Sequence, residues 1–215
     1  MTLRADVFWS FRSPYSYLAT RRYVALTERY DLEIALRLVY PLAIREPDFF
    51  ERSHPNWLRY TFTDVLRLSQ YLDIPMVSPN PDPIVQDLAT RKIAEEQPYI
   101  YRLTRMGQAA ARRGRGLAFA DAVSRMIWGG VAGWNQDENL SNAATSAGLN
   151  FTELAEEAEQ DAVALDVEIA DNQAALEAAG HWGVPTLVFE NEAFFGQDRI
   201  DVAQWRMEQK GLKTR

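Results

Sequence analysis

Three short stretches hold residue types that can do chemistry together. Ser13-Pro14-Tyr15-Ser16 stands where a run of β-branched and aromatic residues, Ala5 to Phe11, gives way to a helical pattern. Ser13 is a good N-cap, and Pro14 suits the first helical position, where its missing N–H is no loss. The first N–H groups of a helix have no internal partners and the dipole there is positive, so such a tip favours an anion. A hydroxyl held at that tip can donate a hydrogen bond to a bound thiolate and help lower its pKa. Taken alone, an ordinary capped helix start explains the same four residues. Gly183-Val184-Pro185-Thr186 precedes a strand and, alone, reads as a trans proline on a sheet edge, since X-Pro bonds are cis in only about 5% of folded cases. Gly196-Gln197-Asp198-Arg199 precedes the last helical pattern. It is either a helix cap in which Asp198 complements the dipole, or a second tip suited to an α-carboxylate, with Asp198 free to pair with an α-ammonium group.

Other chemistries lack their residues. The 215-residue chain has no cysteine, which rules out disulfides, cysteine-built zinc or iron–sulfur sites and a protein thiol nucleophile. Two histidines, His54 and His181, cannot make a three-histidine metal site within one chain, and neither has a triad context. Asn135, Asp137 and Asn139 imitate a calcium loop, but Leu140 stands where glycine is needed and Ser146 where the closing glutamate belongs. Gly129-Gly130-Val131-Ala132-Gly133 follows a helical pattern and is not a dinucleotide fingerprint. A net charge of -7 disfavours general nucleic-acid binding. No window reaches the ~20 apolar residues of a membrane span, and the first residues lack an apolar signal region, so a soluble cytoplasmic protein is expected.

The elements that must position these stretches follow from periodicity. Ala5 to Phe11 reads as a buried strand, Tyr15 to Tyr30 as a helix, and Leu32 to Tyr40, with alternating apolar residues, as a second strand: a βαβ opening. Pro41 to Pro55 is irregular and Ile74 to Pro83 is a proline-rich loop. Helical patterns cover Trp57 to Tyr71, Ile84 to Glu96, Tyr99 to Arg113, Leu117 to Trp128, Ser141 to Ala147 and Phe151 to Ala179, the last with a possible break. Strand character returns at Thr186 to Glu190 and Ala193 to Phe195 around an Asn191-Glu192 turn, before a final helix that opens at Gly196 to Asp198 and runs through Gln209. The order is an α/β one: a thioredoxin-like sheet (βαβ, then ββα) formed by residues 1–43 and 180–215, interrupted by an all-helical insertion at 44–179.

With that frame, the stretches Phe8-Trp9-Ser10-Phe11-Arg12-Ser13-Pro14-Tyr15-Ser16-Tyr17-Leu18-Ala19 and Gly183-Val184-Pro185-Thr186 through Phe194-Phe195-Gly196-Gln197-Asp198-Arg199 resemble the 2-hydroxychromene-2-carboxylate isomerases and kappa-class glutathione transferases, in the DsbA-like branch of thioredoxin folds. Tyr60, Asp64, Arg67 and Ile74-Pro75 look like that family's first insert helix. The resemblance spans essentially the whole chain and is specific at its two ends. It implies that Ser13 replaces the nucleophilic cysteine of disulfide oxidases and activates the thiol of bound glutathione, and that Ser16 sits where those oxidases carry their second cysteine. It further implies a cis Pro185, pairing of the Val184 backbone with the glutathione cysteinyl unit, and Gln197 and Asp198 at the γ-glutamyl end. The implied activity is isomerisation of a small aromatic or conjugated carboxylate in aromatic-compound degradation. A kappa-like transferase is the alternative, and a cysteine-less thioredoxin-fold binding module a third reading. The insert is expected to supply an apolar wall, with Trp57, Tyr60, Trp128 and Trp134 as candidates, core packing being the plainer reading of any one of them, and a homodimer is expected.

Three positions depart from the family pattern. Ser10 stands where aspartate is usual. Arg12 stands where an apolar residue is usual, and is expected either to stabilise the thiolate or to bind a substrate carboxylate. Trp57 replaces the basic residue expected near the glycyl carboxylate of glutathione, leaving Arg52 or Arg59 to substitute.

Overall fold

The computed structural model describes residues 2–87 and 89–215. Strand β1 (Leu3–Trp9) enters helix α1 (Pro14–Arg29), which returns through β2 (Leu32–Leu38). Helices α2 (Leu42–Arg45), α3 (Phe49–Arg52), α4 (Pro55–Tyr71), α5 (Ile100–Arg112), α6 (Gly116–Gly129), α7 (Asp137–Ser146), α8 (Phe151–Gln160) and α9 (Ala162–Ala178) follow, before the hairpin β3 (Thr186–Phe189) and β4 (Glu192–Phe195) and the last helix α10 (Ile200–Gln209). The sheet runs β2-β1-β3-β4, with β1 parallel to β2 and antiparallel to β3. This is the expected βαβ and ββα frame with helices between.

Alternation decides which sheet face is buried. Ala5, Val7 and Trp9 on β1 face Leu32, Leu36 and Leu38 of the main core, while Arg4 and Asp6 pair with Glu33 and Arg37 on the opposite face. At the β1 end of that opposite face, Phe8, Val39 and Leu176 of α9 form a small second cluster.

The insertion grips the corner between β1 and α1. The Trp128 indole N–H on α6 donates to the Phe11 carbonyl at 3.1 Å, and the Tyr17 hydroxyl on α1 donates to the Pro75 carbonyl at 2.6 Å. Trp9 at the end of β1 donates to the Thr20 hydroxyl at 2.9 Å, which ties strand to helix from within. Helix α5 comes so close to this corner that a Cβ on Gly107 would lie 2.8 Å from the Phe11 ring and 3.3 Å from Leu38.

Four local readings differ from the sequence expectation. The span 84–96 is not helical where it is described: Asp82 accepts from the Ile84 N–H, Asp87 from the N–H groups of Ala89 and Thr90, and Gln97 clamps both backbone groups of Val85. Such side-chain bonds compete with helix formation, and the apolar spacing of Ile84, Val85 and Ile93 serves a folded loop instead. The stretch 41–55 contains the one-turn helices α2 and α3. Helix α7 begins at Asp137, four residues ahead of the pattern, because Leu140 already belongs to its buried face. The hairpin turns on Glu190 and Asn191, both at positive φ, so Glu192 already belongs to β4. The break in the long pattern falls at Asp161, between α8 and α9.

Gly107→Ala should therefore destabilise the fold by about 1–3 kcal/mol, because the methyl must displace Phe11 or shift α5. Urea unfolding measures it, and a midpoint equal to wild type would show that the corner tolerates the methyl.

Candidate active site

Ser13 caps α1 in extended geometry, and its side chain accepts from the Ser16 N–H at 3.2 Å. The same hydroxyl donates to the Val184 carbonyl at 3.3 Å, so it faces the loop that enters β3. The Val184–Pro185 bond is cis, and the Pro185 carbonyl accepts from the Gly196 N–H at 2.8 Å. Both bonds of the Ser13 hydroxyl are long, and among the described residues neither the Tyr15 nor the Val184 N–H donates to a protein acceptor. Ser13, Val184 and Pro185 thus meet in one place from two ends of the chain.

Around the α1 tip the groups are acidic and phenolic. The Tyr15 hydroxyl donates to Asp64 Oδ2 on α4 at 2.9 Å. Burial first, then the Asp64 hydrogen bond and charge, with smaller effects from Tyr60 and Asp198, push the Tyr15 phenol well above the ordinary tyrosine range. It stays a neutral donor at any physiological pH. Asp198 pairs with Arg199 at 2.8 Å, and its carboxylate folds over Gly196, where a Cβ would meet Oδ1 at 2.5 Å. Positive φ at Gly196 and this close approach both require glycine there. Gln197 is buried, and its backbone carbonyl accepts from the Arg22 guanidinium of α1, which also pairs with Asp201 at 2.6 Å.

Arg12 does not point freely into this space. Its Nε and Nη2 donate to the two oxygens of Asp82 at 3.1 Å each, Nη2 also reaches Gln86 Oε1 at 3.1 Å, and the guanidinium lies 5.3 Å from the Phe50 ring centroid. The carboxylate it binds here is the chain's own. Trp57, at 43% exposure, is the outer ring of an aromatic group with Phe49 and Phe50, whereas Tyr60 is largely exposed on the same helix. Trp128 and Trp134 are buried and donate to the carbonyls of Phe11 and Pro81. They support loops and do not line an open wall. Arg52 is committed to Glu46 and Asp48 at 3.3 and 2.9 Å, while Arg59 has no ion pair among the described residues.

Several residues at the site carry no local signal. Asp82 meets Arg12 across 70 residues of sequence. His181 stacks on Phe195 at 3.9 Å, accepts from the Gly183 N–H through Nδ1 at 2.8 Å, and is held below the usual histidine range by burial. It shapes the loop before Pro185 as a neutral ring. Trp182 reaches Phe49 at 6.2 Å. Only tertiary contacts reveal these roles.

No curated protein matches the chain by sequence. The fold is shared with the solved structure of 2-hydroxychromene-2-carboxylate isomerase, at 20% identity over 96% of this chain and 95% of that one, with a TM-score of 0.70. It is shared with a probable DsbA oxidoreductase from Streptomyces coelicolor, at 18% identity over 96% and 89% with a TM-score of 0.67. The cytosolic disulfide reductase DsbM from Pseudomonas aeruginosa with GSH matches at 16% identity over 97% and 100%, with a TM-score of 0.57. Among the described residues no helix is long and apolar enough to cross a membrane. The family model of the DSBA-like thioredoxin domain matches residues 4–208, and the chain belongs to that family.

Proposed function

We propose that this protein is a glutathione-dependent isomerase of small conjugated carboxylates, of the 2-hydroxychromene-2-carboxylate type. One observation carries the reading: a serine hydroxyl at a helix tip, opposite the backbone of a cis-proline loop, in a chain without any sulfur nucleophile of its own. A disulfide-exchange function like that named for the oxidoreductase neighbours needs a protein thiolate, and zero cysteines leave none. In this reading the thiol comes from a small molecule, and DsbM with GSH is a neighbour whose printed description contains one.

The residues present fit glutathione. Ser13 has a hydroxyl whose two long bonds to Ser16 and Val184 leave it able to donate to a sulfur anion, and the positive end of α1 reinforces that. The Val184 backbone, beside cis Pro185, offers an N–H and a carbonyl to a peptide-like unit. Asp198, next to the buried Gln197 in sequence, offers a carboxylate to an ammonium group, and Arg59 of α4, without an ion pair among the described residues, is a candidate partner for a terminal carboxylate. When bound, glutathione supplies a thiolate that adds reversibly to a conjugated carbon, making a double bond rotatable before it leaves again. The task of this chain is to hold that sulfur anionic and the substrate beside it.

Two predictions follow from this geometry. Titrating glutathione while following ultraviolet thiolate absorbance should give a signal in wild type. Ser13→Ala should raise the bound thiol pKa by about one to two units, as loss of a charge-assisted hydrogen bond requires; an identical thiolate titration in Ser13→Ala would overturn the reading and leave a binding module. The Arg12 charge is balanced by Asp82, so Asp82→Asn should lower the bound thiol pKa by up to about one unit, Arg12→Leu, which leaves Asp82 uncompensated, should raise it by a similar amount, and the double variant should leave it within a few tenths. A large rise in the double variant would mean that Arg12 stabilises the thiolate directly.

A further inference from the structure

The outer edge of β2 is unpaired within the fold. β2 is an end strand of the sheet, and its ladder to β1 uses alternate residues. The Leu3 N–H donates to the Asp31 carbonyl and the Val39 N–H to the Trp9 carbonyl, so residues 33, 35 and 37 between them turn their backbone groups toward β1. Ile34 and Leu36 therefore aim N–H and C=O away from the sheet, and among the described residues no strand or side chain bonds them. Both ends of this edge are closed. Asn172 of α9 donates to the Leu38 carbonyl at 3.0 Å, while Lys213 and Arg215 bond the backbone of residues 29–31 just before the strand. The open window is residues 33–37, with neither a proline nor a bulge to blunt it.

The charges of that window are opposite in sign and evenly placed. Glu33, Ala35 and Arg37 are exposed on one face of the strand, and Leu36 is buried in the core on the other. Glu33 pairs with Arg4 and Arg37 with Asp6, each at 3.0 Å, so the charges on this face cancel in a chain whose net charge is -7. Two copies repel each other as whole molecules, but not through this face.

We infer that β2 pairs with β2 of a second copy, antiparallel about a two-fold axis at Ala35, so that two sheets become one. Ile34 and the partner's Leu36 then exchange both N–H···O bonds, and Leu36 does the same with the partner's Ile34. The residues whose backbone groups are free are those this register uses. Glu33 stands opposite the partner's Arg37, and the row across the joined sheet alternates in sign from Arg4 through Glu33 to the partner's Arg37 and the partner's Asp6. An axis at Glu33 or at Arg37 would set like charges face to face, which selects the register centred on Ala35. Its methyl also suits the closest approach of two strands. Two-fold pairing consumes both β2 edges, so assembly through them stops at a dimer. Nothing in this pairing depends on the thiolate reading of the Ser13 tip.

Sedimentation velocity and amide hydrogen exchange by NMR test the pairing. Wild type should sediment as a dimer. Ala35→Lys sets two ammonium groups against each other on the axis and Ala35→Glu two carboxylates, so each should weaken dimerisation roughly tenfold or more. An equimolar mixture of the two variants should recover the dimer, because opposite charges then meet, a result that misfolded variants could not give. The Ile34 and Leu36 amides should exchange roughly tenfold faster in Ala35→Lys than in wild type, whereas the Glu33 and Arg37 amides, bonded to β1, should stay slow in both. A monomeric wild type at millimolar protein, a dimer that survives both variants, a mixture no more associated than its components, or equal exchange at Ile34 and Leu36 would each overturn the inference. So would growth beyond dimers that Ala35→Lys abolishes, because β2 would then dock on a different surface of the next copy.

Discussion

The bond from the Trp128 indole to the Phe11 carbonyl sets what the β1–α1 corner can be. That carbonyl ends the strand and has passed out of the sheet ladder, so without a donor it would be a buried polar group costing about 1–3 kcal/mol. Supplying the donor from α6 forces the insertion to lie against the corner. Gly107 then lets α5 close over the Phe11 ring, and Tyr17 reaches across to Pro75. The Ser13 tip is presented outward because its other sides are occupied. The insertion is thus a mould for the active corner as well as a cover for the sheet.

Charge is arranged with the same economy around that corner. Arg12 directly precedes the capping serine, and a bare guanidinium there would dominate the local field. Asp82 accepts two of its hydrogen bonds and Gln86 a third, so the cation becomes a rivet between the corner and the 80–98 loop. The Tyr15 phenol, pushed up by burial and by Asp64, gives a neutral donor beside a tip that favours anions. The larger ion-pair groups, Arg112 and Arg113 with Glu157 and Glu168 and Arg105 with Asp166, tie α5 to α8 and α9 away from the tip. They are partly exposed and contribute modestly to stability.

What was legible in the sequence was what is local. Ser13-Pro14 announces a helix start through its own conformational preferences, and Leu32 to Leu38 announces a strand by alternation, so the βαβ frame and its closing hairpin could be read directly. Residues 84–96 misled because periodic apolar residues look the same on a helix and on a loop whose backbone is held by Asp82, Asp87 and Gln97. The roles of Asp82, Phe49 and Trp182 had no local trace, since each depends on a partner brought in by the insertion's path. Trp128 and Trp134 take the plainer of their two sequence readings, core packing, and their N–H groups are spent on carbonyls of buried loops.

Ser16 settles how far this corner has moved from redox chemistry. By resemblance it occupies the place of a second cysteine, yet it is fully buried, and its hydroxyl finds no hydrogen-bond partner among the described residues. Ser10, at the end of β1, is buried and unpartnered in the same way. Unsatisfied hydroxyls are tolerated at a cost of about 1–3 kcal/mol each, but neither can reach a ligand or resolve a mixed disulfide. The Ser13 hydroxyl at the tip can donate a hydrogen bond to an anion but cannot exchange electrons with it. A thioredoxin-like corner without cysteine therefore agrees with the proposed chemistry, in which a small-molecule thiol acts as a nucleophile and leaves unchanged.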